Sequence, residues 1–323
     1  MSNTLYPLLF QPVYKDYLWG GNRIARDYGR QGTPAICAES WEISDRPEGM
    51  SVVINGHLKG RTLRSLVEEF GPALLGTDST ETSFPLLIKL IDARKDLSVQ
   101  VHPGTQHRGD GEPKTEMWYL LDAPPSSVIY AGLKPGVTQE RFMDALSNQR
   151  LEQDALAAVP AKPGRAIFVP GGRVHAIGAG CLLLEIQQNS NTTYRVYDWN
   201  RTDEQGNPRQ LHLEQALEVI DWDHAQPEVT SPHPLPCVGN NSHATIIKST
   251  FFDTRRIVLN EPETVELDGR SFHAVFVVSG SVLIGANGIV ASADKGTSCL
   301  IPASASYTVS PVGGPAVIIR ITR

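Results

Sequence analysis

Short runs of β-branched and apolar residues, each closed by glycine, proline or another turn former, recur along this chain. They constrain its fold more than any other feature. SVVING, FPLLIKLID, SVIYAGL, RAIFVPG, CLLLEIQQ, ATIIKSTFF, TRRIVLN, AVFVVSGSVLIG, SCLIPA and PAVIIRI are each strand length. The 28 glycines and 23 prolines are spread throughout rather than clustered. This spacing predicts a mainly β chain of sandwich or jelly-roll type. Helical periodicity is rarer. RTLRSLVEEFGPALLG reads as one amphipathic helix with a glycine stop. TQERFMDALSNQRLEQDALAAV reads as one or two more, with Thr138 as N-cap and Arg141 at N3, and LHLEQALEVIDW as a third.

A length of 323 residues suggests about two domains. Residues 223–241, DHAQPEVTSPHPLPCVGNN, lack periodicity and are expected to link a larger domain at 1–222 to a C-terminal β domain at 242–323. A short internal repeat spans that linker. PGRAIFVPGGRVHAI (163–177) resembles DKGTSCLIPASASYTV (294–309), aligning Gly164 with Gly296, Pro170 with Pro302 and His175 with Tyr307. Each copy reads as a strand entered through glycine, ended by proline and turned sharply. Two related barrels are therefore expected, one keeping a histidine and one losing it.

Composition narrows the partners. A net charge of −6 argues against a nucleic-acid binder, which needs a basic face, but leaves a small anionic substrate open. No apolar run approaches the ~20 residues of a spanning helix, so no membrane partner is expected. The N-terminal residues carry no secretory pattern. Cys37, Cys181, Cys237 and Cys299 form no paired motif, and buried free thiols in a cytoplasmic protein are expected. Monomer and homodimer both remain open.

The most specific local pattern is Gly164, Pro170, Gly172 and His175, in the spacing of the second cupin motif. The turn at Pro170 and Gly172 would aim His175 into a barrel mouth; a satisfied core histidine is the plainer alternative. Earlier, LSVQVHPG supplies Gln100 and His102, which share one face of a strand. Glu116 then opens the run EMWYLL. Two imidazoles and a carboxylate suit Zn²⁺, Mn²⁺ or Fe²⁺, with Gln100 adding a neutral oxygen. In the general pattern the place of Gln100 is a histidine, and Glu116 lies farther downstream than usual.

Both departures point to one family. QPVYKDYLWGG, AESWEIS (38–44), FPLLIKLIDARKDLSVQVHP (84–103), KTEMWYLL (114–121), FVPGGRVHAIG (168–178) and TTYRVYDWNR (192–201), followed by LHLEQALEVID, resemble the type I mannose-6-phosphate isomerases in their short bacterial form. The match covers most of residues 5–222 in order; beyond it, only a degenerate second cupin is recognisable. The resemblance implies two cupin (jelly-roll) barrels with helical insertions. It implies one zinc ion held by Gln100, His102, Glu116 and His175. Arg195 would be the catalytic arginine, and Lys114, Lys89 and Ser98 would line the substrate pocket. The implied reaction interconverts mannose 6-phosphate and fructose 6-phosphate through a cis-enediol. Arg195 would stabilise the enediolate, Lys114 would contact substrate or shuttle a proton, and Lys89 and Ser98 would hold phosphate.

Each residue also has a plainer reading. Arg195 could pair with Asp198 on a strand surface, Lys89 could be an edge-strand lysine, and Trp19, Trp41 and Trp118 could be core rather than sugar-stacking. His107 falls in a polar loop. His57, His212, His224, His233, His243 and His273 show no partner pattern. Two other functions compete: another bicupin metalloenzyme acting on a different sugar phosphate, and a non-catalytic sugar-binding cupin. The short interval between Glu116 and His175 leaves room for one helical excursion near residues 138–158, hence a more open pocket than a large insertion would allow.

Overall fold

A computed structural model describes residues 4–203, 205–223 and 227–323. It is mainly β, as the runs predict. The chain divides into two compact units. One comprises Tyr14–Ser40 and Lys89–Thr230; the other comprises the described part of Met1–Val13 with Trp41–Ile88 and Ser231–Arg323. A linear split into 1–222 and 242–323 is not what is observed. Strands Glu39–Ile43 and Leu86–Asp92 each run from one unit into the other. Within the second unit, Leu8–Gln11 pairs with Ser298–Ile301 in the register Leu8↔Leu300, so an N-terminal strand completes a C-terminal sheet.

The expected linker also carries structure. Glu228–Thr230 pairs with Ala166–Val169, and His233–Pro234 pairs with Ser242–Lys248. Strands this short, flanked by proline, serve as sheet edges and leave no alternating pattern to read. His224 lies outside the described residues.

The first unit holds a two-sheet barrel. Its seven-stranded sheet runs Glu228–Thr230, Ala166–Val169, Glu116–Asp122, Leu182–Gln188, Leu86–Asp92, Glu39–Ile43, Val13–Lys15. Its five-stranded sheet runs Tyr194–Tyr197, Val99–Val101, His175–Ile177, Val128–Leu133, Leu156–Pro160. Between them lies a core that includes Trp118, Leu120, Ile167 and Val169 from one sheet and Ile129, Ala131 and Ile177 from the other. Period-two alternation sends Val99, Val101, Ala176, Tyr194 and Val196 to the opposite face, where they pack with Phe142, Ala145, Leu151 and Ala216 of the helices. Helices therefore cover one face of the small sheet, and Gln100, His175 and Arg195 are left pointing into the barrel.

Those helices are Gln139–Ser147, Leu151–Asp154 and Leu213–Val219. Thr138 caps the first as expected, its hydroxyl oxygen accepting from Arg141 N at 3.3 Å. The segment RTLRSLVEEFGPALLG forms two helices rather than one, Leu63–Phe70 and Pro72–Leu75. Gly71 breaks it at φ 44°, ψ −116°, and Pro72 starts the second helix without an amide hydrogen.

The second barrel is built on two long strands, His273–Ala286 and Tyr307–Thr322, paired along their length and bulged between Val277 and Ser281. At the bulge Gly280 adopts φ 75°, and a Cβ there would stand 2.8 Å from Pro315 O. The bend lets one sheet wrap around its own core of Ile257, Leu259, Val275, Val277, Ile284 and Ile318.

The sequence repeat is a structural repeat. Gly164 N donates to Leu120 O at 2.8 Å, and Gly296 N donates to Val277 O at 2.8 Å. Arg173 N reaches Pro170 O at 3.1 Å, and Ala305 N reaches Pro302 O at 3.0 Å. The two glycines share φ near 84°, at 83° and 85°.

Candidate metal centre

Three strands of the first barrel bring the predicted ligands together. His175 opens its strand directly opposite Gln100, and His102 follows Gln100 by two residues on the same face. Glu116 opens the neighbouring strand of the larger sheet, opposite Val169. The metal-binding atoms of His102, Glu116 and His175 all lie within 4.8 Å of one another. His102 Nε2 is 3.4 Å from Glu116 Oε2, and His175 Nε2 is 3.4 Å from Glu116 Oε1.

The donor chemistry fits a divalent cation. Glu116 is fully buried, and its carboxylate is faced by the Lys114 ammonium and the two imidazoles. Such a group is costly unless a cation faces it. His175 Nδ1 is 2.8 Å from Arg173 O, so that nitrogen carries the proton and Nε2 keeps its lone pair. Burial pushes both imidazoles toward the neutral form; His102 falls to about 3, helped by Lys114. Burial alone would raise the Glu116 carboxyl, but Lys114 and the imidazoles outweigh it and hold it well below its usual range. Neutral imidazoles beside an ionised carboxylate are the states that bind a metal.

Gln100 reaches the cluster through its amide nitrogen, 3.2 Å from His175 Nε2, while its oxygen accepts from Ser98 Oγ at 3.3 Å. Lys114 supplies the cation nearest the cluster here: its Nζ lies 2.7 Å from Glu116 Oε2 and 3.1 Å from His102 Nε2.

A cleft of about 260 Å³ opens beside these groups, near the lower end of the ~300–1,000 Å³ usual for small-molecule sites. Ser98, Gln100, Lys114, Lys89 and Arg195 all line it. Arg195 does not pair with Asp198 as the plainer reading had it. Asp198 is clamped by Arg201 and Arg209. Arg195 instead directs Nε at Ser98 Oγ (3.3 Å) and one terminal nitrogen at Gln210 O (2.8 Å).

Lys89 is no edge-strand lysine. It is buried in the middle of its strand, with Nζ 3.0 Å from Glu185 Oε2 and 3.6 Å from Glu39 Oε2. Burial disfavours its charge, but the two carboxylates more than reverse this and raise its pKa. Glu185 is fixed further by Trp118 Nε1 at 3.0 Å. Glu39, Glu185, Tyr17, Arg209, Asn191 and Thr193 line the cleft and were not singled out from the sequence. Glu39 and Glu185 were legible in principle, since each is a carboxylate inside an otherwise apolar strand run. Arg209 comes from a loop with no motif.

Trp19 lines the cleft, whereas Trp41 is core and Trp118 is buried edge-on to His175. Three histidines with no expected partner acquire a hydrogen-bonding one: His212 Nδ1 accepts from Arg195 N at 3.3 Å, His243 Nε2 lies 2.9 Å from Glu263, and His273 Nδ1 lies 3.0 Å from the Tyr307 hydroxyl. His107 is half-buried in its loop. Cys37, Cys181 and Cys299 are buried and Cys237 is exposed, none of them in a disulfide.

Comparison with known proteins agrees with this geometry. Residues 8–125 match the family model for the phosphomannose isomerase type I catalytic domain. The mannose-6-phosphate isomerase ManA of Bacillus subtilis (strain 168) is 35% identical over 303 residues, covering 93% of this chain and 94% of that protein. The mannose-6-phosphate isomerase of Streptococcus mutans serotype c is 39% identical over 251 residues, covering 76% and 77%. The crystal structure of the mannose 6-phosphate isomerase from Bacillus subtilis superposes with a TM-score of 0.88 at 29% identity, over 99% of this chain and 100% of that one. The chain belongs to the type I phosphomannose isomerases.

Proposed function

We propose that this protein interconverts mannose 6-phosphate and fructose 6-phosphate through a cis-enediol, with one zinc ion held by His102, Glu116, His175 and, once its amide is turned over, Gln100. One observation carries the reading: a buried carboxylate flanked by two neutral imidazoles stands beside a cleft lined by Gln100, Lys114, Arg195 and Arg209. The relatives named as mannose-6-phosphate isomerases support it across most of the chain.

A divalent cation bound there polarises and orients the sugar's oxygen atoms. The chain's own groups do the rest. Arg195 faces the cleft and stays cationic, so it stabilises negative charge on the enediolate. Lys114 is the proton carrier between C1 and C2, being the buried amine on the cleft wall beside Glu116. Lys89 is already neutralised by Glu185 and Glu39, so it positions those carboxylates on the wall rather than anchoring phosphate. We assign the phosphate to Arg209 and Arg195, with the Ser98 hydroxyl beside them. Four cysteines outside any disulfide fit a reducing, cytoplasmic compartment, and among the described residues no helix is long and apolar enough to cross a membrane.

The test is a coupled assay of mannose 6-phosphate conversion on protein of measured metal content, before and after chelation. Zinc-dependent turnover is expected. Bound metal without turnover on this sugar would move the protein to another sugar phosphate, and absence of both would favour a binding module.

A further inference from the structure

The two barrels match strand for strand. Ala166–Val169, Glu116–Asp122, Leu182–Gln188 and Leu86–Asp92 lie in that order in the first; Ser298–Ile301, His273–Ala286, Tyr307–Thr322 and Asp253–Leu259 lie in that order in the second. Register fixes the residue equivalences. The residue before the repeat's proline pairs with Glu116 in one barrel (Val169↔Glu116) and with His273 in the other (Ile301↔His273). His175 pairs with Gln100, and its counterpart Tyr307 pairs with Val265. Two residues beyond Gln100 and Val265 stand His102 and Leu267. The ligand set Gln100, His102, Glu116, His175 thus becomes Val265, Leu267, His273, Tyr307, which offers a metal one imidazole and one phenol. His273 Nδ1 is 3.0 Å from that phenol oxygen, so the two satisfy each other.

The decisive change lies one strand over. Two residues after Glu116, Trp118 pairs with Glu185; two residues after His273, Val275 pairs with Arg320. Glu185 answers Lys89 with a carboxylate at 3.0 Å. Arg320 instead stands directly opposite Arg255 in the ladder. Like charges opposed across a ladder destabilise it, and Arg320 is 9% exposed, which increases the cost. Its nearest carboxylate, Glu263, is 3.8 Å away and is also engaged by His243 at 2.9 Å and Asn241 at 3.2 Å. Arg255 forms no ion pair among the described residues.

Both arginines line a cleft of about 570 Å³ at the mouth of the second barrel, with His273, Thr322, Arg270 and Arg323. Arg270 is tied to Asp78 and Arg323 to Glu81, each at 2.8 Å. Asp253, Glu266 and Asp268 also line the cleft and would repel an extended polyanion such as a nucleic acid. We propose that this cleft binds a compact phosphate-bearing anion between Arg255 and Arg320. The site stands apart from the isomerase reading. It supplies the negative charge that Glu185 supplies in the first barrel, and guanidinium forks suit phosphate oxygens. The space beyond the arginines accommodates a small body attached to the phosphate.

Calorimetric titration of the metal-loaded protein with inorganic phosphate, and separately with a hexose 6-phosphate, tests this. Two classes of site are expected in the wild type. Arg255→Ala should weaken one at least tenfold while leaving turnover within twofold, and Arg255→Lys should retain part of the affinity. Arg195→Ala should alter only the other class. Tighter binding of the ester than of inorganic phosphate would mark a phosphorylated metabolite as the ligand; equal binding would mark free phosphate. An identical isotherm for wild type and Arg255→Ala, or a single class that disappears in Arg195→Ala, would overturn the proposal. Because Arg255 is exposed, loss of fold does not confound its replacement.

Discussion

The first barrel gathers carboxylate and imidazole at its mouth, whereas the second presents guanidinium. Both keep the same strand order, the same glycine entry and the same proline turn. The second barrel closes around Ile257, Val275, Val277 and Ile318, and among the described residues it gathers no histidine–carboxylate cluster of the kind His102, Glu116 and His175 form. A barrel of this type is thus held by sheet packing, and chemistry is added at its rim. The contrast also separates what a metal does from what a fold requires.

The sharpest break of the comparison is His175→Ala against Tyr307→Phe. His175→Ala should abolish metal occupancy and lower turnover by more than ~10³-fold, beyond the loss of a single transition-state donor. Circular dichroism and the thermal midpoint should still report a folded barrel. Tyr307→Phe should leave metal content and turnover within about twofold. Unfolding of the protein on metal removal would make the first site structural and end the analogy with the second barrel.

Arg195→Ala comes next. Metal content should be unchanged while kcat falls by roughly 10²-fold, the scale for removing a stabiliser of transition-state charge. Near-normal turnover would remove Arg195 from the mechanism.

Glu185→Gln makes the first barrel resemble the second by leaving Lys89 without its closer carboxylate. Removing one partner of a buried pair costs about 3–5 kcal/mol. Glu39, 3.6 Å from Lys89, should keep the loss near the lower end. The denaturant midpoint measures it, and a change below about 1 kcal/mol would mean that Lys89 is better solvated than its burial implies.

Much of this contrast was legible in the sequence, for physical reasons. The glycine and proline of each repeat fix a turn, so they announce both barrels and the position of His175. Gln100 and His102 share a face because strand periodicity is two. Arg209 and the Arg255–Arg320 pair could not be read in the same way. Their meaning depends on which strand lies beside which, and cross-strand register leaves no local trace. Arg255 and Arg320 look like ordinary exposed charges until the ladder sets them face to face. The interleaved units escaped for a related reason, since nothing within ESWEI or LLIKLID marks the point where a strand passes from one unit to the other. The proline-rich stretch at 223–241 misled in the opposite direction, because its strands are too short to alternate.

His273 provides the finest test of the second mouth. Burial, reinforced by Arg320 and Arg255 and opposed by Asp268, depresses its pKa from 6.5 to about 3, and its Nδ1 faces the Tyr307 phenol. Between those values the unfolded chain binds a proton that the folded barrel refuses. The contribution is therefore complete above about pH 6.5 and is lost as pH falls toward 3, with a slope of up to about 1.4 kcal/mol per pH unit. His273→Phe should remove one proton's share of that slope, seen in denaturant midpoints between neutral and mildly acidic pH. An unchanged slope would show that the imidazole charges freely in the folded state. Bound phosphate should act in the same direction as the mutation in the wild type, because an anion between Arg255 and Arg320 offsets the field that disfavours a protonated His273. In Arg255→Ala phosphate should lose that effect, which ties the titration of one buried imidazole to occupation of the cleft beside it.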